Sequence, residues 1–302
     1  FPCFVPSVGM AVIGAIVFGT LTVVHTWLAW KNKTLFLIMN VYAGLAMTTG
    51  MLIRCILASN SSRPRDLTFD AMSLLLAGPS SVLSFMLIMT YTRLTWWIAP
   101  SEQRTSKTLW LPPAFQTTII AAPQVVADTI VFLGSGTLLI KPAPKYVAST
   151  GAVLEAVTWM FFAGIVARFV CMSRNKWPVM DAGAQVRAQR LGLALCASCG
   201  LLVICGVARV FERSDITILQ DLQLLDSRHR DERPSLMSTT EWPVYAFEYL
   251  PAAAIMVIMG VYYPGSYLPR RLTGFRLRAK LLIQEDQERR RVINPTFTTS
   301  SL

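Results

Sequence analysis

Apolar residues fall in seven long runs, near 8–30, 34–58, 69–98, 115–140, 147–173, 188–211 and 241–263, with charged residues gathered in the breaks and at the end. A helix needs roughly 20 mostly apolar residues to cross hydrocarbon, and each run has that length. The pattern predicts an all-α integral membrane bundle of seven transmembrane helices over residues 1–268, followed by a basic tail over 269–302. No soluble domain has room to form. The first run lacks a basic flank and is too long for a cleaved signal, so it reads as the first span. Phe1 stands where an initiator Met would, and we expect a short leader to precede the chain.

Basic residues orient the bundle, because short basic loops and tails stay cytoplasmic. With the N-terminus outside, 16 Lys and Arg fall on the inner side and 8 on the outer side, with Arg54, Arg93, Arg168 and Arg209 set aside as lying in or at the ends of spans. The expected topology is N-terminus outside and C-terminus cytoplasmic. Asn60-Ser-Ser is then an outer glycosylation sequon, close to the membrane, and Asn32-Lys-Thr faces the cytoplasm.

Composition agrees with this class: 53% of residues are hydrophobic and the mean hydropathy is +0.48. The net charge of +11 is spread over the inner face and tail as the positive-inside bias demands, so it does not signal nucleic-acid binding. From Arg270 to Arg291 the tail mixes Leu272, Phe275, Leu277, Leu281 and Leu282 with Arg, Lys and Glu. That mixture suits contact with an anionic inner leaflet, and equally an exposed helix with no lipid role.

Several chemistries are disfavoured. Five of the six cysteines lie in or beside apolar runs, which rules against a disulfide framework. Cys196-Ala-Ser-Cys199 has metal-like spacing but no His nearby, and reads as small-residue helix packing. His25 and His229 are far apart in sequence and on opposite sides, so no His-based metal site or triad is expected. No phosphate loop of the G-x-x-x-x-G-K-[ST] type occurs. No cofactor is expected. No lysine lies within a run, so a retinal Schiff base has no attachment point. A seven-helix receptor or sensor remains open on helix count, and Pro264-Gly-Ser-Tyr267 faintly echoes a receptor's last helix. Against it, no acid precedes Arg93 in Thr90-Tyr-Thr-Arg93, and no cysteine begins the third run.

What remains is charge inside hydrocarbon. Each centrally placed charge costs about 2.5–3.5 kcal/mol on insertion scales, so such residues usually face the bundle interior and find partners. The candidates are Arg54, Asp128, Glu155, Arg209, Arg213, Glu241 and Glu248. Glu241, Tyr245 and Glu248 follow i, i+4, i+7 spacing and would share one stripe of a regular helix, while Arg209 and Arg213 share a face. Two readings stand: a polar cavity open to the outer leaflet, or internal ion pairs that hold helices together. Pro79, Pro123 and Pro251 each remove a backbone hydrogen bond within a run, shaping a cavity or hinge or standing as tolerated kinks.

At these positions the chain resembles the fungal lipid-translocating exporters of the RTA-like type, known for resistance to aminocholesterol. The resemblance runs from Phe4-Val-Pro6-Ser7, through His25, Gly50 with Arg54, Ala77-Gly-Pro79, Arg93, Asp128 with Phe132, and Arg209 with Arg213, to Glu241, Tyr245, Phe247 and Glu248. The last group reproduces the family's Glu-x3-Tyr-x-Phe-Asp spacing, with Glu248 for the Asp. The chain departs at Met47, near Ser135, at Glu212, and at Tyr263-Pro264-Gly265, where the family has Glu, Gln, Phe and His-Pro-Gly.

The resemblance implies a divergent exporter of amphipathic lipids or hydrophobic toxic compounds, placed in the plasma membrane. Asp128, Glu155, Glu241 and Glu248 would bind a cationic or hydroxylated headgroup or take up protons. Arg54, Arg209 and Arg213 would pair with those acids or hold an anionic headgroup, and Tyr245 would line the same substrate site. The competing expectation is a metal-independent membrane isoprenoid (meroterpenoid) cyclase or isomerase that protonates an epoxide or alkene, placed in the endoplasmic reticulum. A carboxylic acid in an apolar cavity can keep its proton and deliver it to an epoxide. Asp128, Glu155, Glu241 and Glu248 would then be catalytic, with Trp159, Tyr245 and Phe247 steadying a carbocation through their ring faces.

Overall fold

The computed structural model describes residues 7–59, 66–98, 113–134, 146–175, 182–225 and 242–268, and every regular element among them is helical. Helix α1 covers Val8–Asn32, and a short 3-10 turn, Leu35–Leu37, leads into α2, Ile38–Ser59. Then come α3 over Asp66–Ile98, α4 over Pro113–Gly134, α5 over Tyr146–Asn175 and α6 over Ala182–Leu225. The last long helix, α7, is built from three pieces: Trp242–Val244, a π segment Tyr245–Tyr249, and Leu250–Val261. A single turn, α8, follows at Pro264–Tyr267.

Six helices among the described residues are long and apolar enough to cross a membrane: α1, α2, α3 from Leu74, α5, the Val186–Glu212 part of α6, and α7 with the turn after it. The fourth expected span, α4, is not one of the six. It matches α2 in length at 22 residues, but Gln116, Pro123, Gln124 and Asp128 interrupt its apolar run. The proposed extension of that span to residue 140 lies outside the described residues, as do Glu241 and the basic tail.

One boundary expectation is corrected. The apolar part of α6, Val186–Glu212, ends near the expected residue 211, but where the sequence suggests a loop the helix continues, and α6 runs unbroken for 44 residues to Leu225. No Gly or Pro occurs between Glu212 and Leu225 to stop it. At 1.5 Å per residue the helix is roughly 66 Å long, about twice the hydrocarbon thickness. Its C-terminal third therefore extends beyond any span.

Burial is arranged as a bilayer requires. Large apolar side chains cover the outside, among them Ile16, Val23, Leu45, Leu52, Phe161, Leu193 and Leu250, while Thr22, His25, Asn40, Arg54, Ser80, Ser84, Gln116, Gln124, Glu155 and Ser198 are buried. Lipid cannot hydrogen-bond a polar group, so such side chains turn inward or bond their own helix. Thr20, Thr22 and Thr26 do the latter, each donating to the carbonyl four residues earlier at 2.7–2.8 Å.

Consecutive helices pack side by side from α1 through α6. Helix α7 closes the ring against α6 and α1, and α3 reaches across to α6 and α7. A buried node ties α1, α2 and α7 together. His25 Nε2 lies 2.9 Å from the Met256 carbonyl and Nδ1 lies 3.4 Å from Asn40 Nδ2. A carbonyl only accepts, so Nε2 carries the hydrogen and Nδ1 is the acceptor for Asn40.

Two glycines set helix spacing next to the charged residues. A side chain at Gly151 on α5 would meet the Val131 backbone nitrogen at 2.7 Å and the Ala127 carbonyl at 3.0 Å, so α4 and α5 touch backbone to backbone one turn from Glu155. At Gly206 on α6 the obstacles are the Trp159 ring at 3.0 Å and the Ala156 Cα at 3.1 Å. Close approach at both points brings Asp128, Glu155 and Arg209 within reach of one another.

Candidate functional site: a buried arginine among three acids

Arg209 on α6 is the centre of the site. Its Nη1 donates to Glu155 Oε1 at 2.9 Å, its Nε donates to Glu248 Oε1 at 3.0 Å, and its Nη2 donates to Ser80 Oγ at 2.7 Å. Nη2 also donates to Glu248 Oε1. Four N–H groups of one planar fork thus reach three helices, α5, α7 and α3. The guanidinium also stands over the Trp159 ring, 6.0 Å from its centroid. Burial makes these bonds count: Glu155 is 1% exposed, Arg209 12% and Glu248 15%.

The fourth wall is α4. Asp128 Oδ1 accepts from Ser81 Oγ at 2.9 Å and from Gln124 Nε2 at 3.0 Å, and its charge interacts with Arg209. Among the described residues, Asp128, Glu155 and Glu248 therefore outnumber Arg209 three to one. An uncompensated charge in a low-dielectric interior costs several kcal/mol, so such a cluster favours a bound cation or bound protons.

The local shape of α7 decides which acid joins the cluster. Pro251 has no N–H to offer the carbonyl four residues back, and the Leu250 N–H bonds the Tyr245 carbonyl five residues back instead. The resulting π segment undoes the regular stripe expected for Tyr245 and Glu248. Glu248 points to Arg209. Tyr245 turns to Arg54, whose guanidinium lies 5.5 Å from its ring centroid, and packs edge-on to Tyr249 at 5.2 Å. Arg54 Nη1 also approaches the Tyr249 hydroxyl at 3.5 Å. The Tyr249 hydroxyl lies in the fields of both Arg54 and Glu248, which makes it the link between the two arginine centres.

Of the residues singled out from sequence, Asp128, Glu155, Arg209 and Glu248 form one cluster, with Arg54 and Tyr245 beside it. Arg213 lies on α6 but its side chain, like all of Glu241, is outside the described residues. Sequence reasoning missed Ser80, Ser81 and Gln124, which resemble many other polar residues in the chain. Beside Arg209 and Glu248 a cavity of about 20 Å³ opens between α6 and α7, lined also by Glu212, Val244 and Phe247. That is room for about one water. Among the described residues no three His, Cys, Asp or Glu converge as metal ligands. Comparison with protein-family models, with curated proteins and with solved structures finds no match for the chain.

Proposed function

We propose that this multi-pass membrane protein has seven spans, with its N-terminus outside and its C-terminus cytoplasmic, and moves amphipathic lipids or hydrophobic toxic compounds across the plasma membrane. The observation that carries the reading is the Arg209 cluster, in which one buried acid, Glu155, and two half-buried acids, Asp128 and Glu248, surround one guanidinium among the described residues. An amine-bearing headgroup supplies the positive charge that the cluster lacks, and Arg54 beside it suits an anionic or hydroxylated group. Asp128, Arg209 and Glu248, which carry the resemblance to the RTA-like exporters, meet although they lie on three different helices. That convergence supports a shared binding role.

The cyclase reading has less support. The faces of Trp159 and Tyr245 that would steady a carbocation are occupied by Arg209 and Arg54. Phe247 leans on Trp242, at 6.2 Å between centroids. The test is purified protein in liposomes, assayed for dithionite-resolved movement of fluorescent phospholipid and long-chain base, with a prenylated epoxide added and products read by mass spectrometry. Lipid movement without ring product is expected. Ring product without lipid movement would overturn the exporter reading.

Orientation has its own check. A tag after Leu302 is expected to be cytoplasmic and one within residues 226–241 to be reachable from outside, by the excess of inner Lys and Arg. If an impermeant label on intact cells reaches the C-terminal tag, the site must be turned over.

A further inference from the structure

Below the Arg209 cluster, three helices present facing polar stripes. On α6, Arg209, Cys205, Leu202 and Ser198 repeat at helical spacing and share one face. On α3, Ser80, Ser84, Leu87 and Tyr91 do the same, and on α5 Glu155, Trp159 and Phe162. The stripes meet at the cluster, where Cys205 on the α6 stripe also turns its thiol to the Glu248 carbonyl on α7. Arg209 bonds Ser80 and Glu155 at one end. At the other, Tyr91 packs edge-on to Phe162 and Phe169, with centroids 5.7 and 5.5 Å away, and Cys199 lies nearby. Eleven residues separate Ser80 from Tyr91 and Ser198 from Arg209, a rise of roughly 16 Å.

Along this column buried polar atoms have no partner among the described residues: Gln124 Oε1 and Trp159 Nε1 near the cluster, then Ser198 Oγ and Tyr91 OH at the far end. All four side chains are at most 3% exposed. An orphaned polar atom facing neither lipid nor bulk water is among the costliest features a membrane interior can hold. Four of them along one column of helices need a common explanation, and ordered water supplies one.

We propose that a file of water between α3, α5 and α6 joins the Arg209 cluster to Tyr91 and Ser198 and conducts protons, so that transport is coupled to a proton gradient. In each step a water or hydroxyl accepts one proton and releases another. The net event moves one proton and changes no other bond. Trp159 Nε1 only donates, so it orients a water and is not itself a relay. Leu87, Phe162 and Leu202, each at most 1% exposed, occupy the intermediate positions of the three stripes, so water must part them to pass. The charged or titratable groups facing it are Tyr91 on α3, Asp128 on α4, Glu155 on α5, Cys199, Cys205 and Arg209 on α6, and Glu248 on α7. The water file stands on the orphaned atoms alone, and its coupling to transport rests on the exporter reading.

The test uses full-length protein in liposomes loaded with pyranine, with a valinomycin-set potential driving protons inward and fluorescent lipid movement read in the same vesicles. Proton influx above that of empty liposomes is expected, and Tyr91→Phe and Ser198→Ala are each expected to slow it about tenfold, the effect of losing one hydrogen bond in the path. Each variant removes a hydroxyl that the file pairs with water, so the flux, and not the thermal midpoint, separates the path from a structural role. A purely structural role predicts unchanged flux. Influx equal to that of empty liposomes, or influx that both variants leave unchanged, would overturn the proposal. Lipid movement without proton influx would reject the path and keep the exporter, whereas influx without lipid movement would reject the exporter and keep the path.

Discussion

Arg209→Gln is expected to be the most destabilising polar substitution in the bundle, at about 3–5 kcal/mol, the usual cost of leaving a buried charge without its partner. Arg209 is bonded to Glu155, Glu248 and Ser80 and stands in the field of Asp128. Removing it leaves these acids without the guanidinium that joins them. Glu155→Gln alone should cost less, because the amide keeps an oxygen for Nη1 and Arg209 retains Glu248. The double variant should be milder than the sum of the two, since it removes one of the stranded carboxylates. A double-mutant cycle from unfolding in detergent measures this, with an expected coupling of about 1–3 kcal/mol. Strict additivity would mean that Arg209 and Glu155 do not share a site.

The spans were legible because a bilayer imposes an apolar exterior on every crossing helix, and that requirement writes itself into runs of roughly 20 residues. The end of α6 was not. Hydropathy falls after residue 211, and a loop was inferred from that fall. Polarity ends a span, however, and does not end a helix. With no Gly or Pro before Leu225 the helix simply continues. In α4 the same hydropathy signal is diluted by Gln116, Gln124 and Asp128, and two of these belong to the site wall.

The site was legible as a set of charges and not as a set of pairs. Asp128, Glu155, Arg209 and Glu248 stood out because each is expensive in hydrocarbon. Which acid meets which arginine depends on backbone detail. A regular helix would have put Tyr245 and Glu248 on one stripe. Pro251, read from sequence as a kink, instead produces the π segment, sending Tyr245 to Arg54 and Glu248 to Arg209. Ser80 and Ser81 carried no signal, since a serine in a membrane helix usually satisfies itself on its own backbone. Ser84 does so, bonding the Ser81 carbonyl at 2.7 Å.

Glu248→Gln is expected to leave the fold intact and abolish lipid movement. The Glu248 oxygen accepts from two nitrogens of Arg209, and a glutamine oxygen in the same place can accept both bonds. What disappears is the negative charge and the ability to take a proton. Arg209 then remains compensated by Glu155 and Asp128, so the thermal midpoint should fall far less than in Arg209→Gln. A cationic headgroup loses one of the acids that would hold it, and a coupled proton loses one of its carriers. Cells carrying the variant should become sensitive to long-chain bases or sterol-like toxins, and labelled lipid should stop appearing in the outer leaflet. A cyclase would behave otherwise: microsomes without any gradient would turn a prenylated epoxide into a ring product, and the same substitution would end that conversion by removing a proton donor. Undiminished lipid movement in the glutamine variant would show that the charge on α7 has no part in transport. The exporter's headgroup site would then have to be sought at Arg54, on the other side of the π segment.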